Sequence, residues 1–258
     1  MPTYKILYNN LKNRLYNIKM EFTFGIITAG DNDHYIQTII DSIRENHIPI
    51  YEIIIVGNTK IQQDGIIRVF EFDETIRAGW ITKKKNMIAL HAKYENIVLL
   101  HDYVKLNSDW YDGFLKFGND FDWCINRIIN TDGIRYRDYT VCFNLITPLM
   151  YINYYFVDHC LLPYDFENSV KTNKYMYISG TYYVIKKKIA MQHLLDETLC
   201  HNDGEDIELC KRLTENGIII KCNKYSSVSL IKNKTSLHWE QQIEPNELQQ
   251  FMDFCDNH

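Results

Sequence analysis

Two acidic stations, far apart in the chain, carry most of the chemistry this sequence offers. His101-Asp102-Tyr103 follows directly on the apolar run Asn96 to Leu100, and Gly204-Glu205-Asp206 opens a helical pattern. Acids placed where strands and helices end, rather than on solvated faces, can hold a metal-phosphate complex and a general base on one cleft. Each station also has a plainer reading. Asp102 can simply close the loop after a strand, and a carboxylate at a helix N-terminus is stabilised as a cap by the macrodipole. Asn202 or Asp203 can do that capping instead, and the crowding of Asp203, Glu205 and Asp206 would then keep one of them basic enough to act.

The elements that must position these residues alternate along the chain. Strands are expected over 22–28, 51–56, 66–72 and 96–100, with helices over 34–46 and 80–93 between them, and this alternation argues for an α/β sheet. Ile53-Ile54-Ile55-Val56 and Ile97-Val98-Leu99-Leu100 are continuous apolar runs of the kind found in strands covered on both faces. Ligands bind beyond the C-terminal ends of such strands. Three loops converge there: Thr28-Ala29-Gly30-Asp31, Gly57-Asn58-Thr59 and His101-Asp102-Tyr103. Gly30 and Gly57 suit tight turns that let backbone approach a phosphate or a base. The stretch 120–177 is irregular, and a long irregular stretch within a compact domain is more often a functional loop than filler. Beyond it a strand is expected over 175–185, a helix over 206–216 and a strand over 218–222, and Leu7, Leu11, Leu15 and Ile18 give residues 1–20 the spacing of a helical leader.

Composition narrows the classes. A chain of 258 residues that is 46% hydrophobic can bury a sizeable core, and a net charge of −5 advertises no nucleic-acid partner. Lys83-Lys84-Lys85 and Lys186-Lys187-Lys188 read as solvated faces. Seven cysteines, an odd number without a Cys-x-x-Cys pair, fit a reducing compartment better than a disulfide framework. No apolar run is long enough to span a membrane and no signal peptide opens the chain, so a cytoplasmic protein is expected.

The order of these pieces resembles that of the GT-A fold glycosyltransferases, and within them the family 2-like inverting enzymes, over residues 22–240. Ile26-Ile27-Thr28-Ala29-Gly30 looks like the first nucleotide-binding strand and turn. Gly79 with Lys85-Asn86-Met87 looks like the family's glycine-to-(Arg/Lys)-Asn helix. Leu99 to Val104 stands at the metal-binding Asp-x-Asp position, with Leu100 where the family has its first aspartate. The run 177–185 looks like the acceptor-side strand, and 204–210 like the Glu-Asp helix start.

The resemblance implies a Rossmann-like mixed sheet flanked by helices, with residues 21–258 as one GT-A-like domain. It implies transfer of a sugar from a nucleotide-sugar donor to a hydroxyl on a glycan, protein or small carbohydrate, with inversion. Thr28, Ala29, Gly30, Asn58, Lys85, Asn86, His101, Asp102 and Gly180 would bind the donor. Mn²⁺ or Mg²⁺ would sit on Asp102 and His238, Asp206 would act as base and Glu205 would orient the acceptor.

Several alternatives stay open. Lys85 also reads as an exposed helix lysine, and Arg135, Arg137 and Asp138 as a lid or as solvated loop charges. Tyr136, Tyr139, Tyr182 and Tyr183 read as sugar platforms or as core. The missing first aspartate favours a catalytically decayed nucleotide- or carbohydrate-binding protein as the rival function. A nucleotidyltransferase fits less well, because the loop after the first strand is acidic (Asp31-Asn32-Asp33) where a basic loop is expected. The sugar, nucleobase and oligomeric state are not legible.

Overall fold

The structure is a computed structural model that describes residues 19–142, 160–234 and 241–257. All but the last two residues of the expected leader helix, and His238, lie outside them. The first half is a regular alternation: β1 (Glu21–Ile27), α1 (Asp33–Glu45), β2 (Ile50–Val56), β3 (Ile67–Phe70), α2 (Ile81–His91) and β4 (Asn96–His101). After β5 (Val104–Leu106) and α3 (Trp110–Phe117), β6 (Trp123–Ile129) enters the main sheet. A smaller sheet follows, from β7 (Thr140–Val141), β8 (Cys160–Leu161) and β9 (Met176–Tyr177), with α4 (Val170–Asn173) between β8 and β9. The chain closes with β10 (Tyr182–Lys186), α5 (Lys187–Gln192), α6 (Glu205–Glu215), β11 (Ile220–Leu230) and α7 (Pro245–Asn257).

The main sheet runs β3-β2-β1-β4-β10-β6-β11-β5. β1 pairs in parallel with β2 and β4, whereas β10 runs antiparallel to both β4 and β6, so the sheet is mixed. Isoleucines 36, 39, 40 and 43 of α1 repeat at helical spacing and are buried together. Phe22 and Phe24 of β1 pack with Trp110 and Phe114 of α3 at centroid distances of 4.9 to 5.4 Å. Trp110 also donates its indole N–H to the Tyr182 hydroxyl at 2.8 Å, which fixes its ring within the core.

Three expectations are corrected. The stretch 120–177 contains a buried central strand, β6, whose Asn126 and Arg127 interrupt the apolar pattern that would have marked it. The strand expected over 175–185 is two short strands in different sheets. Between them Gly180 gives its N–H to Asp206 and its carbonyl to Lys85, so neither group is left for a ladder. The lysine runs are not solvated faces either: Lys84 and Lys85 are 2% and 1% exposed, and the Lys186 ammonium is bonded to Asn96 and Asn119 at 2.6 Å each.

The registers bring the C-terminal ends of three parallel strands level. Ile27 faces both Val56 and His101. Thr28 N–H then bonds the Val56 carbonyl at 3.1 Å, and Asp102 N–H the Ile27 carbonyl at 3.2 Å. Gly57, with φ 137°, continues β2 past this line, and a Cβ there would lie 2.1 Å from the Thr28 carbonyl oxygen. The glycine is therefore required by the protein's own backbone, not by a ligand. We expect Gly57→Ala to destabilise by about 1–3 kcal/mol, through strained φ and displacement of Thr28. Urea unfolding checks this; a midpoint equal to that of the parent would contradict it.

Candidate functional site

The chain winds β1, β2, β3 in one direction and then returns to place β4 on the other side of β1, which makes a topological switch point between β1 and β4. A cleft of about 410 Å³ opens there. Its lining includes Thr28, Ala29, Asn32, Lys84, His101, Asp102, Tyr103, His201, Lys232 and Lys234.

Asp102 forms part of this lining and is held rigidly. Its Oδ2 accepts the Thr28 hydroxyl at 2.6 Å and the Asn32 amide at 2.9 Å. Thr28 Oγ1 in turn accepts the N–H of Gly30 at 3.1 Å, so the turn after β1 is tied to the same carboxylate. Lys84 crosses from α2 to bond the Thr28 carbonyl at 2.7 Å and pairs with Glu74. The His101 Nε2 is enclosed without a hydrogen-bond partner among the described residues. Burial, followed by the charges of Lys85, His201, Lys234 and Lys84, holds this imidazole well below the usual histidine range.

The second acidic station is organised around a buried lysine. Lys85 Nζ donates to the Gly180 carbonyl at 2.8 Å. Gly180 N–H donates to Asp206 Oδ2 at 3.0 Å, the Tyr177 hydroxyl donates to the same oxygen at 2.7 Å, and Ile207 N–H donates to Asp206 Oδ1 at 3.0 Å. A Cβ at Gly180 would lie 3.1 Å from both Asp206 Cβ and Lys85 Nζ and 3.4 Å from Glu205 Oε1, so a side chain there would crowd all three charged groups. Burial lowers the Lys85 ammonium, opposed by Glu205 and Asp206. Burial, then repulsion from Asp206, raises Glu205 to about 7 against the pull of Lys85. Burial and a like charge thus favour the protonated form of Glu205 more than in an ordinary glutamate.

The expected site residues fall into separate groups. Thr28, Ala29, His101 and Asp102 line the cleft, and Gly30 adjoins it through Thr28. Lys85, Gly180, Glu205 and Asp206 form the second cluster, and neither of its carboxylates lines the cleft. The two are linked by backbone: His101 N–H bonds the Thr181 carbonyl at 3.1 Å, one residue beyond Gly180. Asn58 is exposed and stands beside Gly30, outside the lining. Asn86 is buried, and both of its amide hydrogens are used within the protein. It accepts Leu195 N–H at 2.8 Å and donates to the Leu195 carbonyl and to Glu197, stapling that loop to α2.

Asp138 is no lid residue, being fully buried and bonded by Arg135, Tyr164 and the N–H groups of Ile128 and Tyr139. Tyr136, Tyr139, Tyr182 and Tyr183 belong to the core. Asn32, Tyr177, Lys232 and Lys234 were not singled out by sequence; the one signal for Asn32 was its place in the turn that Asp31-Asn32-Asp33 makes after β1.

Among the described residues the donor set does not complete a divalent-metal site, and His238, the second expected ligand, lies outside them. Asp102 is the one acidic side chain among the described lining residues, and no group of three His, Cys, Asp or Glu side chains able to hold an ion occurs among the described residues. Octahedral magnesium or manganese sites draw on hard oxygen ligands, and the described lining offers one carboxylate together with Lys84, Lys232 and Lys234.

No family model matches the sequence, and no curated protein matches it. Solved structures do. The chain is similar to GalNAc-T7, whose crystal structure holds UDP, GalNAc and Mn²⁺, with 13% identity and a TM-score of 0.53, covering 90% of this chain and 47% of that one. It is also similar to residues 1–349 of S. aureus TarS in complex with UDP-GlcNAc, with 13% identity and a TM-score of 0.51, covering 92% of this chain and 65% of that one. The chain thus spans less than two thirds of either neighbour. At this identity the likeness speaks for architecture alone: the mixed sheet flanked by helices is the fold of the GT-A glycosyltransferases.

Proposed function

We propose that this chain is a nucleotide-sugar-dependent glycosyltransferase that moves a sugar to a hydroxyl acceptor with inversion. One observation carries the reading. The cleft lies at the switch point of a GT-A sheet and combines a fixed carboxylate, Asp102, with lysines from α2 and from the segment after β11. Fold alone would not suffice, because one architecture hosts many activities. Both solved neighbours are complexes with uridine nucleotides, so UDP-sugars are the donors to test first. Seven free thiols fit a cytosolic setting.

In the proposed reaction the diphosphate lies over the turn after β1, near Thr28 and Lys234. The acceptor oxygen attacks the anomeric carbon from the side opposite the leaving diphosphate and loses its proton toward the Glu205–Asp206 pair, which adjoins the cleft through the His101–Thr181 backbone bond and does not line it. Asp206, pinned by Tyr177 and Gly180, sets the position of the pair, and Glu205 supplies the group that titrates near neutrality. Lys85, bonded to the Gly180 carbonyl, supplies the positive charge that the two acids share. No step is routed through a metal ion, because the described residues do not form a site for one.

We expect UDP-GlcNAc or UDP-GalNAc to raise the melting temperature while GDP- and dTDP-sugars do not, since a ligand specific for the folded state stabilises it by mass action. Asp206→Asn should lower turnover by at least about a hundredfold with donor affinity unchanged within about twofold. Wild-type turnover in that variant would remove the pair from the chemistry. Donor binding with no release of nucleotide by the parent protein would favour the decayed, binding-only alternative.

Because Glu205 must be ionised to accept a proton, kcat/KM should rise with pH through about 7. The same shift has a stability consequence. A carboxyl whose folded value lies above its unfolded one favours the folded state below the unfolded value, and that contribution is lost as pH rises through about 7. Glu205→Gln should therefore raise the melting temperature at pH 8 more than at pH 5; an equal change at both would contradict the assignment.

A further inference from the structure

The positive side chains of the cleft differ in how far their charge is already committed. Lys84 is paired with Glu74 and bonded to the Thr28 carbonyl, so its ammonium serves the fold. Lys234 is different. Its Nζ lies 4.2 Å from the centroid of the Tyr103 ring, beside Asp102, and it shares the cleft lining with Lys232 two residues earlier. Burial, then Lys232 and Arg137, lowers its affinity for a proton, and Asp102 is the one acid that counteracts them. Two lysines held this close in one cleft favour the entry of an anion.

Lys234 is also placed by a dedicated clamp. Asn130, buried at the end of β6, donates its amide to the Lys234 carbonyl at 2.7 Å and accepts the Lys234 N–H at 3.2 Å. The neighbouring strand end is tied in as well, with Ile231 N–H bonded to the Tyr103 carbonyl at 2.8 Å. Both backbone polar groups of Lys234 are thus held, and its ammonium sits over the Tyr103 ring. This is the geometry of a pre-aimed charge, not of a surface lysine sweeping through solvent.

We propose that Lys234, seated by Asn130 and accompanied by Lys232, binds the diphosphate of the nucleotide donor, supplying the positive charge that a divalent cation would otherwise bring. The assignment rests on the nucleotide-sugar reading above and gives it a metal-independent donor site. Lys234 touches the leaving group, and Asn130 is a positioning residue that acts through it. The mismatch between the described acids of the cleft and a metal centre then has a physical reason: a cleft whose lining holds Lys232 and Lys234 against one carboxylate repels a dication and attracts a diphosphate.

The test is titration calorimetry of the full chain with UDP, UMP and uridine, each in EDTA and in Mn²⁺. We expect UDP to bind in EDTA, more weakly as salt is raised because the attraction is screened. Lys234→Gln should weaken UDP about tenfold and leave uridine unchanged, with Lys234→Arg restoring most of the loss. Asn130→Ala should weaken UDP by a smaller factor, and Lys188→Gln, an exposed lysine outside the cleft, should not alter it. Cooperative thermal unfolding of each variant excludes misfolding as the cause.

UDP binding that requires Mn²⁺ and is indifferent to Lys234→Gln would overturn this inference while leaving the donor reading intact. So would equal weakening of UDP and uridine. Failure of UDP, GDP and dTDP-sugars to bind with or without Mn²⁺ would overturn both.

Discussion

An ammonium group removed from water must be met by oxygen, and in this molecule that requirement organises the region behind the cleft. Lys85 satisfies it through the Gly180 carbonyl and the charges of Glu205 and Asp206. The arrangement joins α2, the crossing segment before β10 and the first turn of α6. Removing Lys85 would leave Glu205 and Asp206 without their counter-charge, which is costly whether or not the full set is strongly stabilising. The same economy explains why position 180 carries no side chain. It also explains why Glu205 titrates far above an ordinary glutamate: low polarity and a neighbouring carboxylate disfavour its charge more than one lysine restores it.

The cleft itself depends on register more than on any single bond. Because Ile27 stands level with both Val56 and His101, the residues that follow each strand emerge at one edge, and Thr28 and Asp102 meet without a long loop. The turn after β1 and the turn after β4 become one hydrogen-bonded unit, to which Asn32 adds the start of α1. The second half of the chain contributes from the other side, through Lys232 and Lys234 after β11. A site assembled this way combines rigid strand ends with charges delivered by distant sequence.

Local pattern carried the alternating first half. The apolar runs of β2 and β4 and the isoleucine spacing of α1 are strong periodic signals, and Asp102 stands where the run before it ends. What escaped was set by tertiary context. β6 is buried yet holds Asn126 and Arg127, and the run 175–185 reads as one strand although two sheets claim its ends. A triplet of lysines looks solvated unless one knows that Glu74 and Gly180 wait beneath it. Tyr177 and Asp206 are legible as residue types but not as partners, and Asn86 was legible as part of a motif but not as the staple for residues 195–197.

The passage from β9 to β10 spans only Ile178 to Thr181, and those four residues carry the chain from the small sheet into the large one. Within it, Gly180 meets α6 through Asp206 and α2 through Lys85, while Thr181 meets the end of β4 through His101. A tilt of the small sheet relative to the large one has no slack to absorb it before it reaches these contacts. In the proposed reaction, an acceptor that leaned on the small sheet would thereby move the Glu205–Asp206 pair and the end of β4 together, a mechanical link between acceptor and donor built from one tetrapeptide.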